Sequence, residues 1–221
     1  MRCLTSADFV SARYPVALQP DEIQLWWFPR LPVGATRAHD LRWRELLAAC
    51  LECTPEALVL GRGEHGKPFL TAPATVEFNL SHSRGALLVG ISRRQALGVD
   101  IEVPSRPRPV LDLAERYFAP DEAVALARLA AAAQQSAFLE LWSCKEAVVK
   151  ALGSGIGFGL ARVAFTLDVQ GKPQRLNVID ASAGTVPEWQ IVRLAPASDC
   201  TGTLAWRGPA RPVRAFAVAE P

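Results

Sequence analysis

The stretch that decides the fold is "FLELWSCKEAVVKALGSGIGFG", residues 138–159. Its apolar residues recur at helical spacing and a run of glycines follows, so we predict an amphipathic helix that stops at Gly153. Glu146 and Lys150 lie four positions apart and therefore side by side on this helix. A pair of this kind is ordinarily a weak surface ion pair. Because it lies beside an apolar face, it also fits a site that binds a metal ion through Glu146 and a phosphate through Lys150.

The second informative stretch is "GVDIE", residues 98–102, at the end of an apolar run. If it is a strand, Asp100 and Glu102 point to one face, about 6.6–6.8 Å apart along the chain, and Ile101 points into a core. Two carboxylates on one face repel each other, and a hard cation such as Mg²⁺ between them would relieve the repulsion. A strand end that reaches solvent is the alternative.

Two further stretches carry polar residues at predicted turns, "EHGKPF" (64–69) and "FNLSHS" (78–83). Gly66 permits close approach of a flat ligand to the backbone. Lys67 supplies a charge for a phosphate. Ser81 and His82 follow an alternating strand at a point where side chains can reach a ligand, although a histidine in a turn is more often a surface residue.

The rest of the chain alternates helical and strand-like segments. Helices are predicted over 37–52, 110–118, 120–133 and 134–153. Strands are predicted over 21–29 and near 57–60, with three more strands within 75–102 and five after residue 162. The proline-rich stretch "VPSRPRPV" (103–110) reads as a linker. This pattern predicts an α+β fold of two similar α/β halves, 1–103 and 104–221, packed as a pseudo-dimer.

Composition excludes several classes of protein. The 221 residues are half hydrophobic and carry a net charge of +2, which gives no overall field for nucleic acid. The absence of an apolar leader and of 18 consecutive apolar residues predicts no signal peptide and no membrane span. Five irregularly spaced cysteines suit reduced thiols in a cytoplasmic protein, with Cys50 and Cys53 as packing residues rather than a zinc or redox pair. Motifs of serine hydrolases, P-loop proteins and zincins are missing.

Taken in order, the segments "GKPF", "FNLSHS", "GVDIE", "RYFAPDE", "LWSCKEAVVKALGSG" and "GFGL" resemble the Sfp-type 4′-phosphopantetheinyl transferases. They span residues 66–160, and the combination of G-x-D-I-E with W-x-x-K-E-A-x-x-K is fairly specific. The chain length fits the long, two-halved type of the family, which implies a monomer. It does not fit the short, trimeric holo-acyl-carrier-protein synthases.

The resemblance implies Mg²⁺-dependent transfer of the phosphopantetheine arm of coenzyme A to a serine of an acyl or peptidyl carrier protein, with release of adenosine 3′,5′-bisphosphate. The metal ligands would be Asp100, Glu102 and Glu146. Glu146, directly or through water, would also be the base for the serine, and Lys150 would neutralise the pyrophosphate. The implied coenzyme A contacts are Arg37, Lys67, Pro68, Ser81, His82 and Lys150.

The motifs leave the roles of several residues open. Relatives usually carry several basic residues around the start of the first helix for the 3′-phosphate, whereas Arg37 is the best match in this chain, with Arg42 and Arg44 behind it. Lys145 would either pair with Glu122 or lie near the carrier serine, and Trp142 fits packing better than chemistry. Two other functions compete with the transferase: a non-catalytic module that binds coenzyme A or a carrier protein, and a different Mg²⁺-dependent phosphoryl or nucleotidyl transferase. The carrier protein is not identified.

Overall fold

The computed structural model describes residues 1–13, 16–29, 31, 36–72, 76–104 and 107–218, without the side chains of 36–39 and 156. The helices are α1 (Thr36–Cys50), α2 (Val110–Tyr117), α3 (Pro120–Ala127) and α4 (Ala131–Leu152). The strands are β1 (Arg2–Thr5), β2 (Phe9–Ala12), β3 (Ile23–Phe28), β4 (Val59–Arg62), β5 (Pro68–Ala72), β6 (Glu77–Ser83), β7 (Ala86–Ser92), β8 (Leu97–Glu102), β9 (Val163–Leu167), β10 (Pro173–Ile179), β11 (Trp189–Ala197), β12 (Cys200–Arg207) and β13 (Val213–Val218).

A five-stranded sheet in the order β2-β13-β3-β7-β6 forms one side of the molecule. All six residues of β3 are buried, because this sheet is covered on both faces. Trp26 and Phe28 face helix α1, where they pack with Trp43 and Leu46. Leu25 and Trp27 face the opposite way, into the core between the sheets. Alternate aromatic side chains therefore fill two separate cores.

A four-stranded sheet in the order β1-β11-β12-β8 forms the other side. Its inner face, which includes Val99, Ile101 and Leu204, packs against the five-stranded sheet. Helix α4 covers its outer face, and Phe138 and Val148 of this helix belong to the hydrophobic core on that side of the sheet. The layers are therefore helix, sheet, sheet and helix, and the predicted α+β class with two packed helix-and-sheet halves is confirmed.

Side chains of β6 connect the two sheets along the free edge of β8. The backbone amides of Val99, Ile101 and Val103 donate hydrogen bonds to the side-chain oxygens of Asn79 (2.8 Å), Ser81 (3.2 Å) and Ser83 (3.1 Å), respectively. Residues two apart on a strand share a face, so this ladder uses every second residue of "FNLSHS". It satisfies backbone donors that would otherwise be buried without partners at a sheet edge.

The chain crosses between the sheets at both ends. Strand β1 joins the four-stranded sheet by parallel pairing with β11, and β13 joins the five-stranded sheet between β2 and β3. The predicted division into 1–103 and 104–221 stays a prediction. None of the helices in the described part of the chain combines the length and the apolar character needed to cross a bilayer.

The predicted helix over 120–133 is wrong in its second half. Helix α3 ends at Ala127, and Ala130 adopts an extended conformation with φ −56° and ψ 139° before α4 begins at Ala131. Leu126 and Phe138 both pack into the core beneath α4, so the chain must turn between them. Alanine favours a helix, and the alanines at 131–133 form the first turn of α4 instead of extending α3. All five cysteines are free, and Cys50 and Cys53 pack against the core beneath α1.

Candidate active site

The site is built where strand β8 and helix α4 touch. A Cβ atom on Gly98 would lie 2.0 Å from the carbonyl oxygen of Ala147 and 2.4 Å from the backbone nitrogen of Ala151. Only a residue without a side chain permits this contact. The strand and the helix are therefore in backbone contact, which brings the acidic residues that follow Gly98 close to the polar face of α4.

Lys150 is bound to Asp100 across this contact. Its Nζ lies 2.7 Å from Asp100 Oδ1 and donates a second hydrogen bond to Ser81 Oγ at 3.1 Å. The hydroxyl of Ser81 in turn donates to the same Asp100 oxygen at 2.9 Å. Ser81 is buried, so its side chain holds Asp100 in place beside helix α4.

Three carboxylates influence one another at this point. Burial raises the pKa of Glu146, and the charge of Asp100 raises it further, while Lys150 opposes both. Burial raises the pKa of Glu102 to about 7, helped by Asp100 and Glu146 and opposed by Arg108 and Lys150. The pKa values of Glu146 and Glu102 are raised because both side chains are partly removed from water beside a like charge.

The donor set fits a hard cation. Asp100 Oδ2 and Glu146 Oε1 are buried without any hydrogen-bond partner, which is unusual for carboxylate oxygens. Oxygens of this kind are the ligands that Mg²⁺ prefers. Among the described residues, however, no three acidic, histidine or cysteine side chains converge into a ready-made metal cluster. Asp100 Oδ1 is bound to Lys150 instead, and Glu102 lies 3.9 Å from the guanidinium of Arg108.

A cavity of about 520 Å³ opens beside this cluster. This volume lies in the usual range for a small-molecule site. The residues that line it come from the turn before β5, from β6, from α4 and from the glycine-rich segment: His65, Gly66, Lys67, Pro68, Asn79, Leu80, Glu146, Val149, Lys150, Gly153 and Gly155.

The glycine run after α4 forms part of the cavity wall. Gly153 ends the helix with φ +73°, in the left-handed region, as predicted. Gly155 has φ +63° and lies against His65, since a Cβ atom there would be 3.0 Å from the Cβ of His65. The segment is therefore both a helix stop and a contact with the turn on the other side of the cavity.

Lys67 and Pro68 line the cavity, but the ammonium of Lys67 is directed at the backbone. It donates to the carbonyl oxygens of Leu97 (3.2 Å) and Lys150 (2.8 Å), and burial lowers its pKa. Lys67 thereby connects the start of β5 to both β8 and the last turn of α4. Its predicted contact with coenzyme A stays a prediction.

Two other predicted contacts, His82 and Arg37, are not among the described residues that line this cavity. His82 is exposed and, within the described residues, is outside the set that lines the cavity. Arg37 lies in the first turn of α1, and its side chain is outside the described part of the structure. Arg42 pairs with Glu45 at 3.3 Å, and Arg44 stacks over the neighbouring Trp43 ring.

Lys145 pairs with Glu122, which is one of the two roles that the sequence left open for it. The Lys145 Nζ lies 2.6 Å from Glu122 Oε2, donates to the carbonyl oxygens of Leu160 and Val163, and is completely buried. Trp142 packs among the rings of Tyr117, Phe118 and Phe138, as the sequence predicted.

Several residues of the site were not predicted from the sequence. His65 and Asn79 line the cavity, and Ser83 completes the ladder that holds β8. The alternation of polar residues within "FNLSHS" was the available signal, because a strand with one polar face predicts a polar neighbour on that face.

Known proteins support the family suggested by the motifs. The profile of the 4′-phosphopantetheinyl transferase superfamily matches residues 96–205. A phosphopantetheinyl transferase of Thraustochytrium is 35% identical over 90% of this chain and 79% of its own length. The 4′-phosphopantetheinyl transferase HetI of Nostoc is 30% identical over 75% of this chain and 67% of its own.

A third relative matches a shorter part. A putative 4′-phosphopantetheinyl transferase of Synechocystis is 40% identical over 56% of this chain, and the match spans about half (51%) of that relative. The matched region of the superfamily contains β8 and α4, the two elements that carry the carboxylates and Lys150. The chain therefore belongs to the 4′-phosphopantetheinyl transferase superfamily, as its sequence motifs predicted, and is an enzyme of that class.

Proposed function

We propose that this enzyme transfers the 4′-phosphopantetheine arm of coenzyme A to a serine of an acyl or peptidyl carrier protein and releases adenosine 3′,5′-bisphosphate. The observation that carries the proposal is the cluster of Asp100, Glu102, Glu146 and Lys150 beside a cavity of about 520 Å³. Carboxylates for a cation and a lysine for a phosphate are the groups that transfer from a pyrophosphate requires.

In this proposal Asp100, Glu102 and Glu146 hold Mg²⁺. Two unpartnered buried oxygens and the mutual repulsion of the three carboxylates support this assignment. When bound, the metal ion would neutralise charge on the pyrophosphate as the phosphodiester is transferred.

Glu146 is proposed as the base for the carrier serine. Its side chain lines the cavity, where the carrier serine would reach it directly or through water, and its raised pKa moves the carboxyl toward the range of an efficient general base. The serine oxygen forms a bond to phosphorus while the bond from phosphorus to the adenosine bisphosphate oxygen breaks. Lys150, which lines the cavity, would stabilise the leaving phosphate and could return a proton to it.

The rest of coenzyme A is proposed to lie in the cavity between the turn before β5 and the end of α4. Lys67 and Pro68 form one wall, and Lys150 lies at the carboxylate end. Ser81 would act mainly through Asp100, to which it is bound. His82 and Arg37 remain proposed contacts for the adenosine bisphosphate end. The monomeric state and the cytoplasmic location also remain predictions.

The proposal is tested by mass spectrometry of a panel of apo acyl and peptidyl carrier proteins incubated with the enzyme, coenzyme A and Mg²⁺. We expect the mass of one phosphopantetheine group to be added to at least one carrier, and EDTA to prevent the addition. Asp100→Ala and Glu146→Ala should abolish transfer, whereas Glu115→Ala, on the exposed face of α2, should not. Binding of coenzyme A without any transfer, unchanged by EDTA, would favour the non-catalytic module instead.

A further inference from the structure

We propose that Lys150 occupies the cation site when no metal is bound, and that a divalent cation enters only by displacing its ammonium from Asp100. This inference rests on the metal site of the proposed function. It adds a competition within the site, in which a side chain of the protein opposes the binding of the metal.

The contacts of Lys150 support this competition. Its ammonium lies 2.7 Å from Asp100 Oδ1 and 3.1 Å from Ser81 Oγ, so it sits against the carboxylate that a metal would use. The oxygens left without partners, Asp100 Oδ2 and Glu146 Oε1, belong to the same cluster. The ammonium of Lys150 therefore lies among three carboxylates, with Arg108 3.9 Å from Glu102, and part of the donor set stays unsatisfied.

The ammonium and a divalent cation cannot share these oxygens without strong repulsion. Two positive charges a few ångströms apart, partly shielded from water, repel each other far more than in bulk solvent. One of them must leave, and the long, flexible side chain of Lys150 has a route. It belongs to the last turn of α4, is 27% exposed and borders the cavity.

A displaced ammonium would have a new partner in the cavity. An anionic phosphate group bound there would accept the charge that Asp100 releases. Binding of the metal and binding of the phosphate ligand should therefore favour each other, and by linkage the effect must be reciprocal. The lysine would act first as a substitute for the metal and then as a ligand for the phosphate.

The test measures Mn²⁺ binding by the electron paramagnetic resonance signal of free Mn²⁺, in the absence of coenzyme A. Lys150→Met removes the competing charge and keeps the aliphatic length of the side chain. We expect it to bind Mn²⁺ about ten-fold more tightly than the wild type. Lys67→Met is the matched control, because Lys67 is a lysine of the same cavity that bonds carbonyl oxygens rather than a carboxylate. It should change the affinity by no more than about two-fold.

Each outcome decides the inference. Equal or weaker binding by Lys150→Met overturns the competition, and so does an equal gain in Lys67→Met, which would indicate a general charge effect. If neither the wild type nor Lys150→Met binds Mn²⁺ at millimolar concentration, the metal site itself is wrong and the proposed function loses its cation. Thermal unfolding confirms that each variant is folded, and Lys150→Gln replaces Lys150→Met if the latter is not.

Discussion

Gly98→Ala tests whether the backbone contact between β8 and α4 is what assembles the site. The new methyl group would be placed 2.0 Å from the carbonyl oxygen of Ala147 and 2.4 Å from the nitrogen of Ala151. Both are backbone atoms within a 22-residue helix, so neither can rotate away. To reach ordinary van der Waals contact, the strand and the helix must separate by more than about 1 Å.

Two losses follow from that separation. Overpacking of this kind costs about 3 kcal/mol or more, because the contact is with backbone rather than with flexible side-chain ends. For a chain of 221 residues this corresponds to a fall of about 6–12 °C in Tm. The strand carries Asp100 and Glu102 and the helix carries Glu146 and Lys150, so a shift of 1 Å should lower the transfer rate by about 100-fold even where the variant is fully folded.

The assays are thermal unfolding and the initial rate of carrier modification at a temperature well below the Tm of the variant. Gly157→Ala serves as the control, since a Cβ atom there meets no neighbour within 4 Å. It should leave Tm nearly unchanged. A Gly98→Ala protein with wild-type Tm and wild-type transfer rate would refute the argument that this contact is rigid and positions the carboxylates.

Three other substitutions test the energetics of the site and its supports. Folding raises the pKa of Glu102 from 4.5 to about 7, so the metal-free protein loses stability as pH rises between these values. Glu102→Gln should therefore be more stable than the wild type at pH 8 by about 1–2 kcal/mol, a figure that allows for solvent screening. At pH 4.5 this gain should be absent, and urea unfolding in the presence of EDTA measures both values. Lys145→Met leaves the buried carboxylate of Glu122 without its cation and should cost about 3–5 kcal/mol in chemical denaturation, while adding Glu122→Gln should recover part of the loss. Ser83→Ala removes the acceptor of the Val103 amide and should cost about 0.5–1.5 kcal/mol by the same measurement, and no loss would show that this rung of the ladder contributes nothing.

The parts of the fold that the sequence predicted are those with strong local periodicity. Helix α4 ends at the predicted Gly153, and β10 occupies the segment "PQRLNVI" as predicted. Within β8, Ile101 lies in the core between the sheets while Asp100 faces Lys150, as strand alternation required. In each case the pattern of neighbouring residues was sufficient.

Features that depend on distant segments were not predicted. Strands β1 and β2 are short, and they pair in parallel with β11 and β13 from the far end of the chain, so nothing local marks them. The bonds from Lys67 to two carbonyl oxygens were missed for the same reason, since one partner lies 83 residues later. From the sequence alone, a lysine after a glycine-rich turn predicts a phosphate ligand, because its backbone partners are far away along the chain.

The position of the site follows from the double role of β8. One edge of this strand is held by the side chains of Asn79, Ser81 and Ser83 from β6, and its outer face is held by α4. Asp100 is consequently the point where the segment before residue 103 and the segment after it meet, with Ser81 as its partner from one and Lys150 as its partner from the other. Neither segment alone could fix this carboxylate, so the packing of the two segments and the assembly of the carboxylate cluster are a single event.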